Sequence, residues 1–299
     1  MDRYYSVNKY LKELFEEKVY KIALSASHTC PNRDGKIGHK GCIFCSVSGS
    51  GEFAAKQKSV KEQIDSAISF IEKKAKNCKY IAYFQSFTNT YGDINYLEKC
   101  FFDAINDDRV VILSIATRPD CLQDDILCLL KRLAKIKPLW VELGLQTVHE
   151  KSARYIRRGY ELEIYENAVQ KLREIGAKII THQIIGLPGE TAEMIEQTAR
   201  YIGRFSDGIK LQLLHVLKDS DLYYEYMEGK VKELSLEEYT SLLARCIRVL
   251  PKSVVVHRIT GDGDKKTLVA PLWSGDKKRV LNYINSYFDK ENVIQGIDT

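Results

Sequence analysis

The sequence predicts an α/β fold, a parallel barrel-like sheet whose strands alternate with crossover helices. Three observations carry this. Short apolar, β-branched runs recur six times, segments of helical period separate them, and polar side chains collect where the runs end. Strict alternation of this kind argues for parallel pairing, with each helix returning the chain to the starting edge of the sheet.

The strand runs, in order, are VYKIALS (19–25), KYIAYFQ (79–85), VVILSIA (110–116), LWVELGL (139–145), KIITHQIIG (178–186) and IKLQLLHV (209–216). Near-continuous apolar character fits strands covered on both faces. The helical segments are 59–76, 94–106, 124–136, 165–176 and 190–205. Gln85, Arg118, Gln146, His182 and His215 stand at the carboxyl ends, the edge where parallel sheets bind ligands. From Leu217 onward the pattern changes to a helical stretch, an apolar strand SVVVHRI (253–259), a Gly/Asp turn and a terminal helix. The expected organisation is a core over 1–216, with 217–299 as an extension packed on it.

Composition bounds the function class. A 299-residue chain with 44% hydrophobic and 28% charged residues buries a large core as an ordinary globular protein. No run of eighteen apolar residues occurs, and the first eighteen residues are too charged for a secretory signal, so no membrane association and a cytoplasmic location are expected. Five of the eight cysteines are scattered singly, the usage of a reducing compartment. A net charge of +5 permits an anionic substrate or nucleic acid without demanding one.

The other three cysteines, Cys30, Cys42 and Cys45, share one glycine-rich loop after the first strand, spaced C-x11-C-x2-C. Thiolates bind zinc or iron–sulfur clusters. A structural zinc wants four ligands, for which His28 or His39 is the available fourth. A 4Fe–4S cluster on three cysteines keeps one iron open to an outside ligand. Accidental clustering is the third reading of the loop.

Context extends the match. TCPNRDG, GCIFCS, GSGEF, YFQSFTNTY, TRPD, GLQT, RRG, GLPGET, LLHVLK, HRITGDG and APLWSGDK follow one another along nearly the whole chain. In that order they resemble the YhcC-like family of the radical S-adenosylmethionine (SAM) superfamily, kin of the Elongator-type radical enzymes. The resemblance implies a partial (β/α)6 TIM-like barrel with a 4Fe–4S cluster at its mouth. SAM would chelate the open iron, and reductive cleavage would give methionine and a hydrogen-abstracting 5′-deoxyadenosyl radical. An electron donor such as flavodoxin or ferredoxin is implied as partner.

The resemblance also implies roles for individual residues. Cys30, Cys42 and Cys45 would hold the cluster. Phe44 matches an aromatic position near the adenine, and Gln85 to Asn89 match the segment contacting the methionine amino group. Gln146 and His182 match cofactor-facing strand positions, and Gly186 opens the GLPGE motif that lets backbone approach the adenosine. Arg158 matches the arginine that pairs with the methionine carboxylate, a task its forked donors suit. The chain departs from the broad family at His28, Ser46, Ala116, Arg157, Tyr160 and Gln212, so a specialised pocket is expected.

One activity associated with the family is queuine lysis, the C–N cleavage that releases 7-aminomethyl-7-deazaguanine for queuosine salvage. A guanine-like base needs acceptors for its N1–H and exocyclic amine, a donor for its carbonyl and a stacking face. Glu142, Asp262, Gln212, Arg258 and Tyr91 are the candidate substrate contacts; His28, His215, His257 and Asp262 are the candidates for proton chemistry. HRITGDG is the expected substrate lid. Three classes follow, in order: a radical lyase on a small deazaguanine-like molecule, a radical enzyme that modifies tRNA or inserts sulfur, and a zinc-binding scaffold. Nucleic acid ranks lower for want of a basic stripe or an appended RNA-binding module.

Overall fold

The computed structural model describes residues 2–26, 29–47, 49, 59–75, 78–261, 263 and 265–299. An α-helix not expected from the sequence, α1 (Val7–Phe15), opens the chain, and the Ser6 hydroxyl accepts from the Lys9 N–H at its start. Then follow β1 (Val19–Leu24), α2 (Val60–Glu72), β2 (Lys79–Phe84), α3 (Ile94–Ile105) and β3 (Val110–Thr117). A second set comprises α4 (Asp124–Ala134), β4 (Leu139–Gln146), α5 (Glu150–Tyr155), α6 (Leu162–Glu174), β5 (Lys178–Ile185), α7 (Ala192–Phe205) and β6 (Gly208–Leu213). The six strand runs and five helical segments of the sequence reading are all present, with shifted ends.

The last third holds β7 (Val216–Leu217), α8 (Leu222–Met227), α9 (Leu236–Val249), β8 (Val255–Arg258), β9 (Leu268–Ala270) and α10 (Lys277–Lys290). It does more than pack on the barrel. β8 pairs in parallel with β6, so the main sheet runs β1-β2-β3-β4-β5-β6-β8. All its pairings are parallel, and the first six strands form the expected (β/α)6 arrangement. β7 and β9 form a separate antiparallel pair. α9 buries Leu236, Tyr239 and Leu243 in the same core as the barrel helices.

Period two divides each strand between two environments. Tyr80, Ala82 and Phe84 face outward into the core beneath the helices, where Phe84 meets Phe101 of α3 edge-on at 5.0 Å. Ile81 points inward and packs with Ile112, Trp140 and Ile180 into an apolar floor that Leu11 of α1 caps. Tyr83 and Gln85 continue that inward face upward. The interior is therefore layered: an apolar floor, a polar middle, and a top edge of loops. Each fully buried Leu or Ile contributes about 1.5–3 kcal/mol, so the apolar floor keeps the amino end of the barrel shut and leaves the carboxyl end as the open one.

Candidate active site

All three loop cysteines line one cavity at the carboxyl edge of the sheet. The loop that carries them is held from several sides. Asn32 Nδ2 donates to the Arg157 carbonyl at 2.5 Å, and the Ile43 N–H donates to the Ile156 carbonyl at 3.2 Å. Arg33 Nη2 donates to the carbonyls of Cys45 and Ser46 at 3.3 and 2.5 Å, tying the two ends of the loop together. The C-terminal segment adds the Leu222 N–H on the Ile43 carbonyl and Asp219 accepting from the Val47 N–H. Gly49, at φ +61°, lies against the Phe87 ring, where a Cβ would sit only 2.2 Å from the nearest ring carbon.

The thiols fit an iron–sulfur cluster better than zinc. Burial, then Cys45, pushes the Cys42 thiol up to about 11, so a metal's charge is needed to keep it ionised. One zinc would draw its ligands to about 2.0–2.3 Å of a single point. Among the described residues no three His, Cys, Asp or Glu side chains converge in that way. His39 packs on Gly35 and is absent from the cavity wall, while His28 lies outside the described residues. Three thiols on the wall of one cavity, with no fourth protein ligand beside them among the described residues, suit a cuboidal cluster that keeps one iron open.

Two orphaned polar atoms stand on the wall of the same cavity. Gln146 ends β4 at φ +70°, just beyond a register shift, and its buried Oε1 has no hydrogen-bond partner. A bulge with a left-handed residue is a means of re-aiming a side chain. Gly144 leaves the room, since a Cβ there would lie 3.0 Å from Gln146 Nε2. Arg158 is 2% exposed; its Nε donates to the Tyr160 carbonyl at 3.0 Å and its Nη1 to the Thr147 carbonyl at 2.7 Å. Its Nη2 has no hydrogen-bond partner, the nearest carboxylate being Glu150 at 3.6 Å. One free acceptor and one free donor complement an α-amino acid's ammonium and carboxylate. Arg157 differs from its neighbour in that its Nη2 donates a hydrogen bond to Asp221 at 2.7 Å, whereas Arg158 Nη2 meets Glu150 only at ion-pair distance.

Phe44, Gln85, Gln212, His215 and Arg258 also line the cavity. Gly261 and Gly263 do too, the former packed so closely on His215 that a Cβ would lie 2.2 Å from its ring. Asp262 between them lies outside the described residues. Four expectations need correction. The Asn89 amide is used up in the fold, donating to the Phe84 and Ala116 carbonyls at 3.0 Å and accepting from the Ala26 N–H at 3.4 Å. Gly186, at φ +98°, borders a different depression beside Leu234. His257 lies below the cavity with its ring edge-on to Trp140 at 4.9 Å, and burial holds it well below the ordinary histidine range. Tyr91 instead braces the cysteine loop, hydrogen-bonding Asp34 with Lys36 over its ring.

The middle layer is a network the sequence reading found only in part. Glu142 is fully buried. Its Oε1 accepts from Lys21 Nζ at 3.0 Å and Ser114 Oγ at 2.8 Å; its Oε2 accepts from Lys210 Nζ and pairs with His182 Nε2 at 2.8 Å. Lys210 Nζ also donates to Tyr83 Oη at 3.1 Å. Burial alone would raise the Glu142 carboxyl, but Lys21, Lys210 and His182 outweigh it and hold the group well below the ordinary range. Burial, then Lys210, lowers His182 to about 4, so the ring is neutral near pH 7. Burial lowers Lys210 to about 7 against the pull of Glu142. His182 and Glu142 thus serve each other at mid-height. Lys21, Ser114 and Lys210 were not among the candidates; the available signal was two lysines inside otherwise apolar strands, VYKIAL and IKLQL.

Comparison with known proteins agrees with this geometry. The chain matches the Radical SAM superfamily over residues 24–202 and the Radical_SAM C-terminal domain over 206–290. It is 42% identical to the uncharacterized protein YtqA of Bacillus subtilis, over 98% of this chain and 92% of that one. It is 36% identical to protein YhcC of Escherichia coli, over 96% and 92%. A tRNA uridine(34) acetyltransferase of Methanocaldococcus jannaschii is 28% identical over 62% of this chain, which spans 34% of that protein. Among solved structures, archaeal Elp3 from Methanocaldococcus infernus shares the fold, with a TM-score of 0.70, 20% identity and coverage of 93% of this chain and 64% of that one. No helix among the described residues is long and apolar enough to cross a membrane. The chain belongs to the radical SAM superfamily, in the family of YtqA and YhcC, and its cofactors are a 4Fe–4S cluster and S-adenosylmethionine.

Proposed function

We propose that this radical SAM enzyme acts on a nucleobase, and that a uridine-type base of tRNA is its substrate. When bound, the cluster and SAM would supply hydrogen-abstracting radical chemistry, with the electron from a donor of the flavodoxin or ferredoxin class. The chain's own residues hold and orient. Cys30, Cys42 and Cys45 would carry the three ligated irons, Arg158 Nη2 the methionine carboxylate, Gln146 Oε1 the ammonium, and Phe44 the adenine. Scattered free cysteines fit a cytoplasmic location.

The observation that carries the choice of base is the saturation of Glu142, the carboxylate among the described cavity-lining residues. A guanine-like edge presents N1–H and an exocyclic amine and asks for a carboxylate acceptor, but four donors already occupy this one. A uracil edge alternates acceptor, donor and acceptor, which a primary amide such as Gln212 can meet. The name of the archaeal relative, a tRNA uridine(34) acetyltransferase, supports the same substrate class. One feature favours the alternative of queuine lysis. Gly261 and Gly263 of the HRITGDG turn line the cavity, and in the sequence a carboxylate residue, Asp262, stands between them.

An anaerobic incubation of reduced holoenzyme with SAM separates the readings. Total tRNA from cells lacking the gene is offered in one vessel and free queuine in another, and mass spectrometry follows 5′-deoxyadenosine and the base. A mass change at a tRNA uridine is expected; release of 7-aminomethyl-7-deazaguanine from queuine alone would transfer the assignment to the lyase. The arginine assignment has its own test. Loss of a charge-assisted hydrogen bond is worth about 1.5–3 kcal/mol, so Arg158→Ala should weaken SAM binding roughly 10- to 100-fold. Arg157→Ala, which removes only an ion pair with Asp221, should stay within about threefold. Equilibrium dialysis of both variants checks the ranking, and its reversal would show that the wrong arginine was assigned.

A further inference from the structure

We propose that the substrate carries an anionic group, of the carboxylate or phosphate class, and that Lys210 in the middle layer of the barrel receives it. This deepens the nucleobase reading and rests on it, with the base in the upper cavity and its charged substituent reaching down.

The cavity wall is strongly cationic. Its described lining holds Arg33, Arg118, Arg158, Lys210 and Arg258 against a single carboxylate, Glu142. Arg33 is engaged with loop carbonyls, and Arg118 forks onto Asp120 at 2.9 and 2.8 Å. Arg158 serves the amino-acid wall. Glu142 offers one negative charge to two ammonium groups, Lys21 and Lys210, so the three together carry one positive charge in excess. An ammonium has three donors; Lys210 gives one to Glu142 and one to Tyr83 Oη, and the third has no partner among the described residues. The side chain is 5% exposed, and a buried ammonium that shares its one counter-charge with Lys21 is costly until an anion arrives.

The lowering of Lys210 to about 7 expresses the same shortage, with burial first and Lys21 and Arg258 adding to it against Glu142. An anion docking on Nζ raises that value again, so binding above pH 7 takes up a proton. Position on the strand gives a distance. Gln212 lies two residues beyond Lys210 on the same face of β6, about 6.6 Å further along. A base edge on Gln212 would therefore need a substituent that spans this separation to set its anionic group on Lys210.

The test is calorimetric titration of the reconstituted holoenzyme, saturated with SAM so that Arg158 is occupied. Inorganic phosphate and acetate are the two probes, each at pH 8 in two buffers of different ionisation enthalpy. Expected are binding of one probe with proton uptake, and its weakening by roughly 10- to 100-fold in Lys210→Met. The probe that binds identifies the class. Lys210→Arg should bind the anion without proton uptake, since arginine stays charged, a signature that a purely structural lysine would not show. If the wild type binds neither probe, or Lys210→Met binds as tightly as wild type, the docking role is wrong. Should Lys210→Met lose its cluster, Lys210→Arg decides alone, and its failure to bind overturns the proposal. Modification of tRNA uridine is read separately, so base chemistry without anion binding sinks the docking role and leaves the nucleobase reading standing.

Discussion

Cys42→Ala abolishes the reductive cleavage of SAM, and Cys30→Ala and Cys45→Ala do the same, whereas Cys78→Ala leaves it intact. The reason is ligand count. Each thiolate would serve one iron, and with no fourth cysteine in the loop there is no substitute when one is lost. Disturbing even the outer partners of a metal ligand costs about 10–100-fold, so loss of a ligand itself should exceed about 100-fold and lower the iron content. The fold should survive, because among the described residues Cys42 Sγ makes only long contacts, 3.6 Å to Asn32 Nδ2 and 3.8 Å to the Arg157 carbonyl. Cys78 precedes β2 at the amino edge of the sheet, opposite the cavity, and is the matched control. The measurement is 5′-deoxyadenosine formed per hour with dithionite, alongside iron and sulfide analysis. Undiminished cleavage by Cys42→Ala with full iron would remove the cluster from these cysteines.

The barrel was legible in the sequence because strand and helix periods alternate without interruption. Its six strands all appear, within a few residues of their expected ends, for the physical reason that inward and outward faces are both apolar over most of their length. The seventh strand was harder. SVVVHRI reads as a strand, yet nothing in its pattern says that it pairs with β6 across the intervening β7, α8 and α9. The cysteines were legible because thiols so close together are rare outside a metal site. Asn89 shows the opposite limit: an amide at a strand end looks available to a ligand, but in the folded chain Phe84, Ala116 and Ala26 already use it. Glu142 and Lys210 sit 68 residues apart in sequence, and their meeting depends on strand order and inward register, neither of which a single strand displays.

Glu142→Gln should cost the folded protein more than any other substitution on the cavity wall. Removing one partner of a buried ion pair leaves its cations uncompensated and typically costs about 3–5 kcal/mol; here Lys21 and Lys210 both lose their counter-charge, and His182 loses its partner. Ser114→Ala, which deletes a single neutral hydrogen bond to the same carboxylate, should cost only about 1 kcal/mol. The pH dependence follows with definite sign. The Glu142 carboxyl is held well below its unfolded value, so its stabilisation is complete above the unfolded carboxylate range and is lost as pH falls through the folded value. His182, lowered to about 4, adds to that acid lability, since the unfolded ring takes up a proton below its ordinary 6.5 while the folded ring does not. Lys210, lowered to about 7, acts in the alkaline window: between there and 10.5 the unfolded chain holds the extra proton, so stability rises with pH. Without Glu142 that lowering deepens. The deficit of Glu142→Gln should therefore be largest near pH 6 and shrink towards pH 9, where a neutral Lys210 no longer needs a counter-charge. Anaerobic thermal unfolding of holoenzyme and variant across that range checks it; a deficit below about 1 kcal/mol at pH 6, or one unchanged at pH 9, would mean that the network does not hold the barrel together electrostatically.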